Sequence, residues 1–587
     1  MWITKCKIIK NLFNINKVSR AYCSSTSSRK PAYYQGISSD PLTYRTLGQE
    51  FERSVEKNYD KEAFVACSEN KRITYGETLY QADLLASKLL NLDLKPGDHI
   101  GLWAPNTVQW FITFLAAARA NLVIACINPA LQANEIKYSL NKAKCKVVLA
   151  QDEYKTQKYY DILKNIIPEL ETHNSTKELN SKNLPHLKSV IIDTNKELNG
   201  IIKFNDLLKD PIDEDIQNIK KISNMAEPDS PLNIQFTSGT TGQPKAALLT
   251  NFNFVNSALI YGKRIGIADN TKYHHRLLLL APLFHAFGLT NFMGSVMYGA
   301  TLVIPSPTYN PVESIRMIEK EKCTTFLGTP TMLIDGLVAK NQHNFDTSTL
   351  KTVATGGSTC TPQLYKDIKS VFNLEHLNIV YGLSEATAAD FASYGGEDET
   401  LLENTVGKIY DHLEAKVINE DGKTVNFGES GELCMRGFAI MKEYFDDEIK
   451  TKEIISNDGW LKTGDQFILY DNGYGTIVGR KKDMIIRGGE NIYPKEIEDF
   501  MDTHPNVLES QVVGVSDKRL GEEICLFLRM KPDCPNLTID DVREFCKGNI
   551  AHFKIPKYLK ILKEFPKTTS GKIQKFKLKE MTKEWEK

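Results

Sequence analysis

With 587 residues, 41% of them hydrophobic and 25% charged, and a mean hydropathy of −0.32, the chain has the composition of a globular protein of several domains and is neither disordered nor fibrous. Its 73 basic and 73 acidic residues give a formal net charge of zero, so no nucleic-acid partner is expected. The eleven cysteines are scattered, without a C-x-x-C pair or a Cys/His cluster at zinc spacing, so we expect free thiols.

The N-terminal segment, residues 1–30, is basic and rich in serine near its end. It holds seven Lys and Arg residues, and no Asp or Glu precedes Asp40. An apolar helical face interrupted by lysines is typical of a mitochondrial transit peptide, whereas a secretory signal has an unbroken apolar stretch. We expect a transit peptide and a mature protein in the mitochondrial matrix; the alternative is a basic N-terminus without a targeting role. The chain does not end in Ser-Lys-Leu, so no peroxisomal address is expected.

Between residues 80 and 150, helical periods alternate with short β-branched runs. The pattern predicts helices at 83–90, 109–119 and 136–142, and strands at 99–103, 122–128 and 145–150. Because such alternation is typical of βαβ units, we expect an α/β fold with mostly parallel sheet. The polar segment 171–183 is expected to be a surface insertion.

The stretch 277–305 has no Asp, Glu, Lys or Arg and resembles a membrane span in composition. It nevertheless contains Pro282, His285 and Asn291, which break a helix or need hydrogen-bond partners that hydrocarbon does not supply. We therefore predict buried strand, loop and helix here and no transmembrane segment.

The pattern of residue types changes after Val406. Turn signals at 419–422, 427–429 and 471–473 separate short apolar runs. The spacing predicts a small β-rich subdomain ahead of a final α+β unit.

A glycine- and hydroxyl-rich segment between two apolar runs has the composition of a phosphate-binding loop. It is not the P-loop, because Pro244 precedes Lys245 and Ala246 stands where that loop has a hydroxyl. Glycines allow the backbone to approach a polyphosphate, and N–H groups, hydroxyls and a lysine donate to it. A flexible surface turn is the alternative. The segment comprises Thr237, Ser238, Gly239, Thr240, Thr241, Gly242, Gln243, Pro244 and Lys245.

Two later stretches contain residue types that could bind the base, the metal ion and the ribose of a nucleotide. In YGLSEAT, Tyr381 suits stacking on a base, Gly382 makes a turn, and Glu385 suits Mg²⁺. Asp465, in a Thr-Gly-Asp turn, and Arg480 together suit a ribose diol. Each residue alone has a plainer interpretation: a solvated glutamate, a turn-capping aspartate, a surface arginine.

The chain resembles the adenylate-forming superfamily of acyl-CoA synthetases and luciferase-like AMP-binding enzymes, over nearly its whole length after about residue 40. Five motifs carry the resemblance and occur in the order found there: TSGTTGQPK, YGLSEAT, TGD, GRKKDMIIRGGENIYPKEIE and PKTTSGK. It implies a large N-terminal domain of βαβ subdomains plus a β-rich subdomain, residues 31–479, and a small mobile α+β C-terminal domain, residues 480–587. The hinge would lie near Lys482.

The resemblance also implies roles for individual residues. The loop 237–245 would hold the β- and γ-phosphates of ATP, Glu385 would bind Mg²⁺, and Asp465 with Arg480 would hold the ribose. Lys572, which composition alone does not distinguish from its neighbours, would reach the acyl carboxylate and the α-phosphate. Four catalytic residues are implied: Lys572, Lys245, Glu385 and His285, the last at the acyl pocket. The adenine would be flanked by Tyr381, Gly382, Gly356, Gly357 and Ser358, and Gly488 and Gly489 would border the pantetheine of CoA.

The implied activity is ATP-dependent ligation of a fatty acid to CoA through an acyl-adenylate, with ATP, CoA and Mg²⁺ as cofactors. The residues of the motifs most resemble those of mitochondrial medium-chain acyl-CoA synthetases. The alternatives are a long-chain or aryl acid–CoA ligase and, from another class, a non-catalytic nucleotide-binding scaffold.

Overall fold

A computed structural model describes residues 30–237, 243–357, 360, 362–394, 397–480, 485–492, 494–501, 503–530, 534–566 and 575–585. Two mixed sheets form the centre of the large N-terminal domain, and an antiparallel sheet packs beside them. A separate sheet forms the smaller C-terminal domain. The predicted α/β fold is therefore confirmed.

The first mixed sheet carries both ends of the predicted phosphate loop. Strands Pro231–Thr237 and Lys245–Thr250 are antiparallel neighbours, with Thr237 opposite Lys245. The strands before them in the sheet pair in parallel, as predicted. Among described residues the order is Ile202–Lys203, Ser189–Asp193, Val147–Gln151, His99–Trp103, Val123–Cys126, Pro231–Thr237, Lys245–Thr250 and Glu443–Tyr444.

The second mixed sheet brings two further predicted segments to one edge. Strand Thr352–Gly356 is parallel to His376–Tyr381, so Gly356 and Tyr381 both stand at carboxyl ends of neighbouring strands. In the described part of the chain the order is Lys408–Ile409, Phe391–Ala392, His376–Tyr381, Thr352–Gly356, Thr325–Gly328, Arg276–Leu279, Thr301–Ile304, Glu62–Ala66 and Lys71–Thr74.

The antiparallel sheet confirms the predicted β-rich region after Val406. It places Asp465 opposite Arg480 in register. Its described strands are, in order, Tyr33–Gln35, Leu413–Ile418, Ser430–Gly437, Leu461–Leu469 and Gly475–Arg480. A two-stranded ribbon, Glu153–Tyr154 with Gln157–Lys158, lies apart from these sheets.

The strands beyond Arg480 belong to a separate sheet. Its described strands run in the order Glu490–Ile492, Ile485–Arg487, Gly521–Met530 and Val507–Asp517, and Tyr558–Ile561 pairs in parallel with Gly521–Met530. The chain thus passes from one sheet to another between Arg480 and Ile485, where we predict the domain boundary.

Helices cover the sheets, and several of them begin at a residue whose side chain caps the first turn. The Thr46, Thr74, Thr107 and Thr250 side chains each accept a hydrogen bond from the backbone N–H three residues on, which satisfies one open donor of the first turn. Helices occupy Leu47–Asn58, Tyr75–Leu90, Val108–Arg119, Ala133–Lys142, Tyr159–Ile166, Phe204–Leu207, Asp213–Met225, Asn251–Arg264, Ala286–Met297, Pro311–Glu321, Pro330–Gln342, Pro362–Phe372, Glu399–Asn404, Glu448–Ile454, Pro494–Met501, Ile539–Cys546 and Lys575–Glu580.

The elements predicted between residues 80 and 150 are confirmed in type and order. The first helix begins at Tyr75, eight residues before its predicted start, and the other ends differ by at most three residues. The stretch 277–305 is a buried strand, a helix and a second strand, as predicted. None of the helices within the described ranges has both the length and the apolar character needed to cross a membrane. The cysteines in the part of the chain that the structure describes are free thiols, which confirms that prediction.

Candidate active site

A cavity of about 550 Å³ lies where both domains meet, and residues from both mixed sheets, the antiparallel sheet and the small domain line it. Most of the predicted site residues that the structure describes reach its wall. They are Thr237, Pro244, Lys245, His285, Gly357, Gly382, Glu385, Asp465, Gly488 and Gly489. The sequence therefore brings segments more than two hundred residues apart to one concave surface.

Four polar side chains form a connected cluster at the end of the phosphate-loop strands. The Thr237 hydroxyl donates to Glu385 Oε1 at 3.0 Å, and the Tyr444 hydroxyl donates to the same oxygen at 2.7 Å. Lys245 Nζ donates to the Tyr444 hydroxyl at 2.5 Å and lies 4.2 Å from the centre of the Tyr444 ring. The Lys245 ammonium and the Glu385 carboxylate remain 3.9 Å apart, so the tyrosine mediates their contact.

Glu385 has the chemistry that a Mg²⁺ ion requires beside phosphate. Its carboxylate lines the cavity, its side chain is 14% exposed, and the hydrogen bonds from Thr237 and Tyr444 both use Oε1. Carboxylate oxygens next to hydroxyls are hard ligands, and Mg²⁺ usually completes its shell with water and substrate phosphates. The residues present therefore fit the metal role predicted for Glu385.

Tyr381 and Asp465 form a second pair, of which Asp465 lies on the cavity wall. The Tyr381 hydroxyl donates to Asp465 Oδ2 at 2.7 Å, and both side chains are buried. The Asp465 N–H donates to Thr463 Oγ1 at 3.1 Å, which holds the turn that carries the carboxylate. Arg480 lies opposite Asp465 in register, so both predicted ribose residues occupy adjacent strands.

The predicted glycines lie where a side chain would collide with backbone. A Cβ on Gly382 would be 2.3 Å from the Ala388 carbonyl carbon, and one on Gly356 would be 2.6 Å from the Val380 oxygen. Gly357 follows with a φ of +86°, a conformation that disfavours other residues. These glycines keep the strand ends close together and leave the cavity open.

The small domain contributes a glycine turn and a carboxylate to the same cavity. Gly488 and Gly489 have φ values of +60° and +86°, and a Cβ on Gly489 would be 2.8 Å from Thr329 Cγ2. Glu490 Oε2 lies 3.2 Å from His285 Nε2, so the histidine at the start of helix Ala286–Met297 contacts the other domain. The buried Thr329 hydroxyl lines the cavity and has no hydrogen-bond partner within the described ranges, so it is available to a ligand.

The sequence reasoning missed two features of this site. Tyr444 carried no signal, because it lies in a two-residue strand, Glu443–Tyr444, far along the chain from Lys245. The contact of His285 with Glu490 was also not predicted, although both segments had been singled out. Gln243, Gly356 and Tyr381 are described but do not line the cavity. Eight further predicted residues lie outside the described residues: Ser238, Gly239, Thr240, Thr241, Gly242, Ser358, Lys482 and Lys572. The side chain of Arg480 does so as well.

Known proteins resemble this chain in sequence, and solved structures resemble it in fold. The AMP-binding enzyme family matches residues 51–445, and the AMP-binding enzyme C-terminal domain matches residues 496–572. The mitochondrial medium-chain acyl-CoA ligase ACSF2 of Macaca fascicularis is 40% identical over 552 residues, 94% of this chain and 89% of that protein. The ligase of the same name from Danio rerio is 40% identical over 555 residues, 94% of this chain and 90% of its own length. The o-succinylbenzoate CoA synthetase MenE of Bacillus subtilis superposes with a TM-score of 0.74 at 22% identity, over 92% of this chain and 99% of that one.

Proposed function

Because the chain belongs to the AMP-binding enzyme family, we propose that it is an acyl-CoA synthetase that activates a fatty acid with ATP and transfers the acyl group to CoA. The similar mitochondrial ligases are named for medium-chain acyl groups, and we propose the same substrate class here. The observation that carries the proposal is one cavity bordered by the Lys245–Tyr444–Glu385 cluster, by Asp465, and by Gly489 of the small domain.

The first half-reaction joins the fatty acid to AMP. A carboxylate oxygen attacks the α-phosphorus of ATP, an O–P bond forms, and pyrophosphate leaves. Charge develops on phosphate oxygens, so fixed cations and hydrogen-bond donors stabilise the transition state. We assign the β- and γ-phosphates to the loop 237–245, whose ends Thr237 and Lys245 stand opposite each other, and the α-phosphate and carboxylate to Lys572.

A Mg²⁺ ion bound by Glu385 would supply further positive charge to the phosphates. The Thr237 and Tyr444 hydroxyls orient that carboxylate through their hydrogen bonds to Oε1. Tyr444 also bridges the Lys245 ammonium and the Glu385 carboxylate, which lie 3.9 Å apart. These contacts keep both charges directed at the ligand.

We assign the nucleoside to the opposite wall. Asp465 would accept from the ribose hydroxyls, with Arg480 on the neighbouring strand. Gly356, Gly357 and Ser358 with Tyr381 and Gly382 would border the adenine. The support is the position of Asp465, Gly357 and Gly382 on the cavity wall.

The second half-reaction transfers the acyl group. The CoA thiol loses its proton, sulfur bonds to the acyl carbon, and the bond to the AMP oxygen breaks. His285 Nε2 donates to Glu490, which leaves Nδ1 to accept a proton, so we propose His285 as the acceptor of the thiol proton. Gly488 and Gly489 leave room for the pantetheine arm beside Thr329.

We assign the fatty chain to the apolar part of the cavity wall. This part includes Phe236, Ala286, Phe287, Gly288, Leu383 and Ala388. A long-chain or aryl acid is the alternative substrate. Acid-dependent release of pyrophosphate measured across chain lengths tests the choice, and we expect the highest kcat/KM for medium-chain acids.

The experiment that tests the activity is formation of AMP from ATP by the purified full chain. We expect AMP only when both a fatty acid and CoA are present. Absence of AMP with every acid offered would instead favour the non-catalytic nucleotide-binding scaffold.

We also propose a mitochondrial matrix location and a two-domain division at residues 31–479 and 480–587, with a hinge near Lys482. The similar ligases carry the word mitochondrial in their names, which supports the location. Fusion of residues 1–30 to a reporter tests targeting. The change of sheet between Arg480 and Ile485 supports the division.

A further inference from the structure

Three polar side-chain contacts described in the structure join the small domain to the large one. Lys554 Nζ lies 2.8 Å from Glu135 Oε1, Arg519 lies 3.2 Å from Asp335, and Glu490 lies 3.2 Å from His285. The third borders the reacting groups of the proposed mechanism. The first two lie outside the assigned catalytic groups and therefore call for another role.

The two remaining contacts differ in burial. The Lys554 side chain is 8% exposed and that of Glu135 is 20% exposed, whereas the Arg519 side chain is 62% exposed. A solvated ion pair contributes little, because water screens it and its long side chains lose entropy. Removing one partner of a largely buried pair costs much more, since the other charge stays desolvated. Lys554–Glu135 is therefore the contact on which docking of the small domain depends most.

Glu135 is held in place by its own helix before any docking. Its Oε2 accepts the Gln132 N–H at 2.9 Å in the capping box of helix Ala133–Lys142, which leaves Oε1 directed at Lys554. The loop ahead of this helix is equally fixed, because the Gln157 side chain donates to the Ala130 and Leu131 carbonyls at 3.0 Å. A rigid acceptor reduces the entropy lost when the domains meet.

Lys554 sits on the part of the small domain that faces the cavity. It belongs to the turn His552–Lys554 and lines the cavity together with Gly488, Gly489 and Glu490. Ala130 of the large domain joins the buried apolar cluster that contains Phe553 and Ile485, so apolar packing accompanies the ion pair. Engagement of Lys554 by Glu135 therefore fixes where the glycine turn stands relative to Thr329.

We propose that Glu135 and Lys554 are positioning residues for the second half-reaction, holding the small domain in the orientation that presents the Gly488–Glu490 turn to the acyl-adenylate. The inference rests on the proposed synthetase function. It assigns the pair no role in adenylation, during which Lys572 rather than the glycine turn has to reach the reacting groups.

The test separates the two half-reactions in the full chain. Glu135→Gln and Lys554→Met are each assayed for acid-dependent pyrophosphate release and, in single turnover, for transfer of a preformed acyl-adenylate to CoA. We expect transfer to slow about tenfold in each variant, as for loss of a partly buried charge pair, with pyrophosphate release within about twofold of the wild type. The charge-swapped double variant Glu135→Lys/Lys554→Glu is expected to recover most of the transfer rate.

Asp98 supplies a matched control inside the large domain. Its Oδ2 accepts the Lys95 N–H at 2.8 Å and the Lys146 ammonium at 2.8 Å, and its side chain is 19% exposed, close to the 20% of Glu135. Its lysine partner lies in the same domain and is more exposed than Lys554. Asp98→Asn is expected to leave the ratio of the two half-reaction rates unchanged.

Equal loss of both half-reactions, an unchanged transfer rate, or no recovery in a folded charge-swapped variant would each overturn the proposal. Pyrophosphate release tests the synthetase function separately. If the proposed function were wrong, the wild type would release no acid-dependent pyrophosphate either.

Discussion

The Tyr381 hydroxyl donates a 2.7 Å hydrogen bond to Asp465, although the two residues are 84 positions apart in the chain. The Tyr381 ring packs against Phe391 and Phe467, with centroid separations of 6.0 and 5.9 Å. Packing thus fixes the ring, and the ring fixes the carboxylate assigned to the ribose. The nucleoside wall is preorganised by side chains from two different sheets.

Removing that hydroxyl is expected to weaken ATP binding more than catalysis. In Tyr381→Phe the packing remains but Asp465 loses a hydrogen bond to a charged oxygen, worth about 1.5 kcal/mol. We expect roughly a tenfold rise in the KM for ATP and a smaller change in kcat, measured by acid-dependent pyrophosphate release. Tyr160→Phe, which removes a hydroxyl bonded to the exposed Asn199 carbonyl, is the control. An unchanged KM would exclude the orienting role of Tyr381.

Tyr444→Phe tests the connection between Lys245 and Glu385. The variant keeps the aromatic ring near the Lys245 ammonium but removes the hydroxyl between that ammonium and the Glu385 carboxylate. In the wild type the two charged groups are 3.9 Å apart. We expect the ammonium to close on the carboxylate and compete with the metal, raising the Mg²⁺ concentration needed for half-maximal activity by about threefold. Calorimetry of Mg·ATP binding provides the second measurement. Equal Mg²⁺ dependence in variant and wild type would contradict the prediction.

Lys572→Ala is expected to abolish adenylate formation and to spare much of ATP binding. In the proposed mechanism the lysine would supply positive charge to the carboxylate and α-phosphate in the transition state, whereas the loop 237–245 would hold the other phosphates. Transfer of a supplied acyl-adenylate to CoA should survive, because that step forms no bond to phosphorus. Normal pyrophosphate release from the variant would show that another cation stabilises the charge of the transition state.

Much of this architecture follows from local signals in the sequence. Helices and parallel strands between residues 80 and 150 have clear periods, and glycines at Gly357, Gly382 and Gly489 mark positions where the backbone has no room or the wrong φ for another residue. Each motif assigned to the nucleotide is a run of neighbouring residues, so its residue types were enough to predict a phosphate loop and a metal ligand.

Contacts between distant segments could not be predicted from local patterns of residues. Tyr444 meets Lys245 across 199 residues, and Glu490 meets His285 across 205. The first contact depends on antiparallel pairing of Glu443–Tyr444 with Lys245–Thr250, and the second on how the small domain docks. Neither pairing leaves a spacing pattern in the chain, because register between remote strands and the orientation of a domain are tertiary properties.

Acid stability provides a last prediction, on the buried carboxylate of Glu321. Its Oε2 lies 2.7 Å from Arg72 and 2.8 Å from Arg276, and its side chain is 5% exposed. The hydrogen bond from Arg72 lowers the pKa of Glu321 below its ordinary value of 4.5. A lowered pKa means that the folded state favours the ionised form, so the stabilisation is complete above 4.5 and is lost as the pH falls through the folded-state pKa.

Glu321→Gln should therefore lower the unfolding midpoint at neutral pH, and the difference from the wild type should shrink as the pH falls below 4.5. Thermal unfolding of both proteins over that range measures it. Glu313→Gln is the control, because Glu313 pairs with the half-exposed Arg316 on one helix and solvent screens that contact. A difference for Glu321→Gln that stays constant with pH would mean that the packing of the side chain, rather than its charge, stabilises this edge of the sheet.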